Sequence, residues 1–172
     1  MTNTYYIIGI DPGLVNTGWG VIKVNNGNHI QFVSSGTIKT KANENMANRL
    51  LHINKSIIDV CNNQFNDGDV VHSAIEDVFV NKNPDTSLRL GQARGVAMLS
   101  LSHMNYPVYE YQNREIKKAI VGSGGAGKEQ IQTMVKILLS GAQFDSEHSA
   151  DALAIAITHS QVNLYNNMAV KG

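Results

Sequence analysis

Acidic residues follow two apolar segments of the sequence and could bind a metal ion together. Asp11 comes directly after the run 5–10, and Glu76 directly after the run 70–75. If both runs are neighbouring parallel strands, their ends lie about 4.8 Å apart. Carboxylates at that distance repel each other unless one is protonated or a cation lies between them. A divalent ion that prefers oxygen ligands, Mg²⁺ or Mn²⁺, is the expected cation.

A third group of candidate ligands opens the last predicted helix. Residues 145–151 are Asp-Ser-Glu-His-Ser-Ala-Asp, and Ser146 is a suitable N-cap. His148 and Asp151 are three residues apart, so they share one face of the helix. The run that follows is apolar enough to require burial, and a buried Asp151 is costly unless it is paired or bound to metal.

Simpler interpretations of these residues stay open at this point. Asp11 opens an Asp-Pro-Gly turn, and such turns favour Asp without any ligand. Glu76 could be a solvated residue at a strand end. The dipole at a helix N-terminus favours acidic residues, which accounts for Glu147 but not for Asp151, because Asp151 lies beyond the first turn.

Hydrophobic periodicity predicts the elements that must position these side chains. The predicted order is β-β-β-α-β-α-β-α-α-α, with strands near 5–10, 18–24, 30–33, 70–75 and 107–109 and helices near 46–61, 85–104, 115–121, 129–139 and 147–164. A strand–helix–strand unit implies a parallel pair with a right-handed crossover. The expected fold is therefore α/β, with a mixed sheet of five strands flanked by helices. Ligands of such sheets bind at the carboxyl ends of the strands, where Asp11 and Glu76 are predicted to lie.

A glycine-rich segment resembles a phosphate-binding loop but departs from its pattern. Residues 122–128 fit Gly-x4-Gly-Lys, yet position 129 is Glu instead of the Ser or Thr that binds Mg²⁺. The preceding segment also has helical spacing, whereas a P-loop follows a strand. We therefore predict a hinge that carries Lys128, and no nucleotide site.

Composition excludes several classes of protein. The 172 residues are 42% hydrophobic and only 16% charged, and 19 are Asn. One cysteine cannot form an internal disulfide, which favours a reducing compartment, and the expected location is the cytoplasm. No stretch of about 18 apolar residues could span a membrane. We expect residues 1–172 to form a single domain with about eight frayed residues at the end.

Charge is balanced overall but uneven along the chain. The 14 basic and 14 acidic side chains cancel. The segment 78–136 nevertheless holds eight basic and four acidic residues, a net charge of +4 (8 − 4). A local phosphate-binding face is therefore compatible with global neutrality, although an ordinary solvated surface explains the count equally well.

Four stretches, in this order and spacing, resemble the RuvC family of Holliday junction resolvases. They are residues 8–22, 75–97, 117–128 and 149–159, which together extend over nearly the whole chain. The resemblance implies an RNase H-like fold, a homodimer and Mg²⁺-dependent nicking of two opposed strands of a four-way DNA junction. It also implies two Mg²⁺ ions per active site, for which Mn²⁺ can substitute, and RuvA and RuvB as branch-migration partners.

The resemblance also assigns roles to residues. Asp11, Glu76 and Asp151 match the family's acidic metal ligands, and His148 stands where many members have Asp. An imidazole there makes Mn²⁺ more acceptable and predicts a loss of activity at low pH. Lys117 and Lys128 match basic catalytic residues at the scissile phosphate. The predicted DNA-binding residues are Phe79, which matches an aromatic that contacts unstacked bases, and Lys82, Arg89, Lys117, Lys118 and Lys128.

Other functions are compatible with parts of this pattern. A sugar kinase or actin-like ATPase also begins with a strand and an Ile-Asp-x-Gly turn, but it needs two such domains. A junction- or RNA-binding module without catalysis would bind nucleic acid and release no product. A nuclease that acts on RNA–DNA hybrids or on RNA would share the metal site.

Overall fold

A computed structural model describes residues 4–25, 29–77 and 83–169. Five strands among these residues form one sheet in the order β3-β2-β1-β4-β5, and five helices accompany it. The strands are β1 (Tyr5–Asp11), β2 (Asn16–Asn25), β3 (His29–Lys39), β4 (Val71–Asp77) and β5 (Val108–Gln112), and the helices are α1 (Met46–Gln64), α2 (Pro84–His103), α3 (Asn113–Val121), α4 (Lys128–Leu138) and α5 (Glu147–Ala169). This order confirms the sequence-based prediction. None of the helices in the described ranges is both long and apolar enough to cross a membrane.

The central strand β1 places Asp11 and Glu76 at one edge of the sheet. β1 pairs antiparallel with β2 and parallel with β4, with Ile10 opposite Ile75. Its alternating side chains enter two cores: Ile7 packs with α3, α4 and α5, and Ile8 packs with α1 and α2 on the other face. Because both faces are covered, β1 is apolar throughout, as expected for a strand buried on two sides.

Helix α5 lies unusually close to the sheet because two glycines face it. A Cβ added at Gly9 would be 2.1 Å from the carbonyl oxygen of Ala152, and one at Gly18 would be 2.0 Å from that of His148. Any side chain at either position would force the helix away. The glycines therefore set the distance between α5 and the sheet, and with it the position of His148.

Several boundaries differ from the prediction, and two differ most. β3 runs to Lys39 instead of Val33, because its second half pairs with β2 although its sequence, Ser34-Ser35-Gly36, lacks an apolar alternation. α5 continues to Ala169, five positions beyond its predicted end at Leu164. No Gly or Pro occurs in that stretch to stop the helix. The predicted frayed end falls partly on residues 170–172, which lie outside the described residues.

The structure supports the rejection of a nucleotide-binding loop. Helix α3, not a strand, precedes the glycine-rich segment, and Gly122 ends that helix in the left-handed conformation with φ of 78°. Lys128 is the first residue of α4. A positive φ at the residue after a helix is the usual role of glycine there.

Candidate active site

Asp11 and His148 are in direct contact. Oδ2 of the buried Asp11 lies 2.8 Å from Nδ1 of His148. The hydrogen bond to this carboxylate raises the pKa of His148, although burial of the ring acts in the opposite direction. The pair brings the end of β1 and the first turn of α5 together, as the sequence predicted for candidate ligands of one metal site.

The start of α5 is fixed by reciprocal capping, which positions His148. The Ser146 hydroxyl accepts from the backbone N–H of Ser149 at 3.2 Å, and the Ser149 hydroxyl accepts from that of Ser146 at 3.1 Å. Thr37 of β3 donates to Asp145 at 2.8 Å and ties this corner to the sheet. The N-cap predicted at Ser146 is therefore confirmed.

Glu76 is held by a residue that the sequence did not single out. Asn113, the first residue of α3, donates from Nδ2 to Oε1 of Glu76 at 2.7 Å. Burial raises the pKa of Glu76, and the neighbouring charges of Asp11 and Asp77 act in the same direction. An amide donor beside the carboxylate partly offsets this effect, because it favours the charged form.

Asp151 is the most perturbed carboxylate of the group. Burial, followed by the charge of Asp11, raises the pKa of Asp151 to about 6. Glu76 contributes in the same sense, whereas Lys128 and His148 lower the pKa. Three mutually repelling carboxylates in one half-buried place form a site whose charge a cation would balance.

Three of the four candidate ligands make hydrogen bonds within the protein. Among the described residues, no three His, Cys, Asp or Glu side chains are close enough together to hold a metal ion as they stand. Glu76 accepts from Asn113, whereas His148 and Asp11, both candidate ligands, contact each other. The set still offers three carboxylates and one imidazole within one electrostatically coupled group, and these are ligand types that bind Mg²⁺ or Mn²⁺.

A pocket of about 110 Å³ opens beside the carboxylates and brings both predicted catalytic lysines to them. Its lining residues are Glu76, Asn113, Ile116, Lys117, Lys128, Ile131, Asp151 and Ile155. Lys128 is largely exposed, and its ammonium lies 2.9 Å from Oε2 of Glu147. That contact raises the pKa of Lys128, which therefore stays charged at neutral pH.

The remaining predicted DNA-binding residues are distributed differently. Lys118 is exposed and does not line this pocket. Arg89 lines a separate cleft that also includes His148. Phe79 and Lys82 lie outside the described residues.

Arg94 of α2 binds two residues at the end of β4. One of them is Asp77, to which the sequence assigned no role. The Nε of Arg94 donates to the backbone carbonyl of Glu76 at 3.0 Å. Its Nη2 lies 3.3 Å from Asp77 and also pairs with Glu110 of β5. Arg94 lies in one of the stretches that carry the resemblance, but its contacts depend on a helix and two strands that only the fold brings together.

Comparisons with known proteins decide the family. The family model described as crossover junction endodeoxyribonuclease RuvC matches residues 7–159. The chain is 48% identical to a protein of that name from Bartonella quintana, over 93% of this chain and 92% of the relative. It is 42% identical to the one from Rhizobium johnstonii, over 98% and 96% of the two chains. The chain belongs to the RuvC family.

Solved RuvC structures agree with this assignment and with the fold. A Thermus thermophilus RuvC in complex with a Holliday junction substrate superposes with a TM-score of 0.82 at 28% identity, covering 96% of each chain. The yeast mitochondrial resolvase Ydc2 shares the fold with a TM-score of 0.63 at 14% identity, over 93% of this chain and 82% of that one. The expected RNase H-like architecture of a RuvC protein is thus confirmed.

Proposed function

We propose that this RuvC protein is a structure-specific endodeoxyribonuclease that resolves four-way DNA junctions by paired, symmetric nicks in recombination and repair. The convergence of Asp11, Glu76, His148 and Asp151 from β1, β4 and α5 at one edge of the sheet carries this proposal. Membership of a family whose members are named crossover junction endodeoxyribonucleases supports it.

We propose the same four side chains as ligands of two Mg²⁺ ions, for which Mn²⁺ can substitute. Burial, followed by the charge of Asp11, raises the pKa of both Asp151 and Glu76, and a bound cation would offset the cost of placing negative charge there. Bound divalent ions supply an activated water and charge stabilisation for the leaving 3′ oxygen. His148 would bind the metal through a ring nitrogen with a free lone pair, which requires a neutral ring, and Nδ1 could do so only by giving up its contact with Asp11.

The lysines of the pocket act on the phosphate. Lys117 and Lys128 line it beside Glu76 and Asp151, where their charge would offset the negative charge that develops on the phosphorane. Arg89 and Lys118 are proposed to contact DNA outside this pocket, and Phe79 and Lys82 are also proposed as DNA contacts. Their contacts would mainly recognise junction shape and deformability.

We also propose a homodimer, in which each protomer cuts one strand. The outward face of α2 supports it, since Leu88 is 64% and Leu99 65% exposed. Gly91 and Gly95 lie on the same helix, with nothing among the described residues within 4 Å of an added Cβ. A two-fold dimer matches the approximate symmetry of an open junction. RuvA and RuvB are the proposed partners, and the single, buried Cys61 is consistent with action in the cytoplasm.

Cleavage assays on the Asp11→Asn variant test the proposal. The variant should lose cleavage of a four-way junction by at least about 1,000-fold because one carboxylate ligand is gone, and it should retain junction binding. Asp59→Asn, at an exposed position of α1, is the matched control and should cleave normally. An Asp11→Asn protein that cuts at the wild-type rate would contradict the assignment.

Substrate comparison separates the alternatives. Four-way junction, plain duplex and RNA–DNA hybrid are offered to the wild-type protein with Mg²⁺, and preferential paired nicking of the junction is expected. Preference for the hybrid would indicate a different nuclease of the same fold. Junction binding without any metal-dependent product would indicate a binding module that has lost catalysis.

A further inference from the structure

A second cleft adjoins the candidate active site on the side of His148. It has a volume of about 490 Å³ and lies between the loop that follows β1, helix α1 and the start of α2. Arg49 and Arg89 both line it, together with Asn16, Thr86 and His148. Within the described part of the chain its lining includes no acidic side chain, so the cleft is cationic although the neighbouring site is acidic.

Arg49 is an unusual residue for the wall of an ordinary cleft. It lies on the inward face of α1, one turn before Ile53, and is only 7% exposed. Its Nη2 donates to the carbonyl of Leu14 at 3.2 Å and its Nε to the hydroxyl of Thr40 at 2.9 Å. No carboxylate of the described residues lies within ion-pair distance of its guanidinium.

A buried guanidinium without an acidic partner retains an unbalanced charge. Neutral oxygens satisfy two of its donor directions, but a guanidinium carries five N–H groups. Burial of a charge is costly unless an opposite charge accompanies it. No fully buried side-chain nitrogen of the described residues lacks a hydrogen-bond partner, so the remaining N–H groups of Arg49 are accessible to an anion that enters the cleft.

Arg89 makes the cleft suitable for a phosphodiester. It is exposed at the cleft, so it can close on an anion after binding, whereas Arg49 is fixed. Two guanidinium groups recognise phosphate oxygens with charge-assisted, directional hydrogen bonds. Leu14 and Leu90 supply apolar lining against which a sugar can pack.

We propose that this cleft binds a backbone phosphate of the cut strand that flanks the scissile phosphate. The inference rests on the proposed function, because His148 belongs both to the candidate metal ligands and to the wall of the cleft. A strand whose scissile phosphate lies at Asp11, Glu76 and Asp151 continues past His148 toward Arg49 and Arg89. The cleft would then hold the strand in register for the reaction.

A scan with neutral phosphates tests this site. Single methylphosphonates are placed at successive positions around the cleavage site of a synthetic four-way junction, and binding is measured by fluorescence anisotropy in EDTA, where no cleavage occurs. For the wild-type protein, a methylphosphonate at the flanking position that the cleft binds should weaken junction affinity about tenfold. Arg89→Ala should bind the unmodified junction about tenfold more weakly and show no further loss at that position.

Salt dependence and two further variants test the same phosphate site. Arg89→Ala should reduce the slope of log K against log salt concentration by about 1, the value of one phosphate contact. Lys55→Ala removes an exposed charge from α1 away from the cleft and should keep the wild-type position dependence. Arg49→Gln should also lose the position-specific response. Its fold is checked by thermal melting, and Arg89→Ala decides the matter if Arg49→Gln does not fold.

The outcomes distinguish the subsite from the function. If Arg89→Ala responds to every methylphosphonate as the wild type does, the cleft is not a phosphate subsite, even though the protein binds junctions. If the wild-type protein binds the unmodified junction no better than plain duplex, the proposed function itself is wrong.

Discussion

Helices α5 and α2 both bring residues to the candidate active site, but they are held against the molecule in different ways. α5 carries His148 and Asp151, and its residues 152–157 are all at most 1% exposed. α2 contributes Arg94 from its inner side, while Leu88 and Leu99 project outward. The helix with the candidate metal ligands is therefore fixed by close backbone contact, whereas α2 is attached by side chains and leaves one face open.

The largest expected effect comes from disturbing the contact between α5 and the sheet. Gly18→Ala would place a methyl group 2.0 Å from the carbonyl oxygen of His148, where only backbone can give way. We expect the free energy of unfolding to fall by more than about 3 kcal/mol, and cleavage to be lost in any protein that folds. Urea denaturation followed by circular dichroism measures the first effect.

Gly95→Ala on the open face of α2 is the matched contrast. An added Cβ there meets nothing within 4 Å among the described residues. Alanine should therefore stabilise the protein by about 0.5–1 kcal/mol, because it favours the helix over the unfolded chain. A destabilised Gly95→Ala protein would mean that this face is covered in solution, and sedimentation analysis would then test for the proposed dimer.

The second effect is a loss of stability in acid that originates in α5. The ring of His159 is 2% exposed and contacts His72 of β4 at 2.9 Å and the hydroxyl of Tyr111 of β5 at 2.7 Å. Burial lowers the pKa of His159 from 6.5 to about 4. At this ring the folded state therefore binds fewer protons than the unfolded chain between these values, and the contribution of His159 to stability, full above pH ~6.5, should fall by roughly 3 kcal/mol as the pH drops toward 4. The raised pKa of Asp151 acts in the opposite direction in this range, so the effect is read from the difference between the wild type and His159→Gln.

Urea midpoints between pH 7 and pH 4 measure this loss. His159→Gln is the control, since it removes the titrating ring and should give a shallower dependence of stability on pH. Equal slopes for the two proteins would assign the acid sensitivity to other groups.

The third effect concerns α2 and should be more moderate. Arg94→Ala removes the hydrogen bond to the carbonyl of Glu76 and the ion pairs with Asp77 and Glu110. We expect a loss of about 1–3 kcal/mol in stability and a 10- to 100-fold rise in the Mg²⁺ concentration needed for half-maximal cleavage, because the backbone of Glu76 is no longer held.

Glu110→Gln is the control for Arg94→Ala, because it weakens one ion pair and leaves the bond to Glu76 in place. It should change the stability and leave the Mg²⁺ requirement close to that of the wild type. If both variants shift the Mg²⁺ requirement equally, Arg94 does not act through Glu76.

The smallest effect on stability is expected at the exposed pair between Lys128 and Glu147. Glu147→Gln should leave the melting temperature and the cleavage rate unchanged, since exposed ion pairs contribute little to stability. Lys128→Ala should lower the cleavage rate by about 100-fold. A similar loss of rate in Glu147→Gln would show that the pair, and not the lysine alone, takes part in the reaction.

The sequence by itself determined the order of elements and the positions of the candidate ligands at their ends. Apolar runs that stop at Asp11 and Glu76, and a helix cap before His148, are local patterns, so they can be recognised without the fold. The resemblance to one family added the pairing of distant motifs. The departures, at the second half of β3 and the end of α5, occur where pairing or packing continues beyond the local signal.

Only the tertiary structure decided which partners hold these residues. The hydrogen bonds from Asn113 to Glu76, from Arg94 to Glu76 and from Arg49 to Leu14 each join elements that are distant in sequence. Periodicity indicates which face of a helix is buried, but not which side chain lies across from it. Such contacts depend on the distance between packed elements and on their register. The glycines that face α5 set its distance from the sheet, and the pairing of β1 with β4 sets the register of the strands.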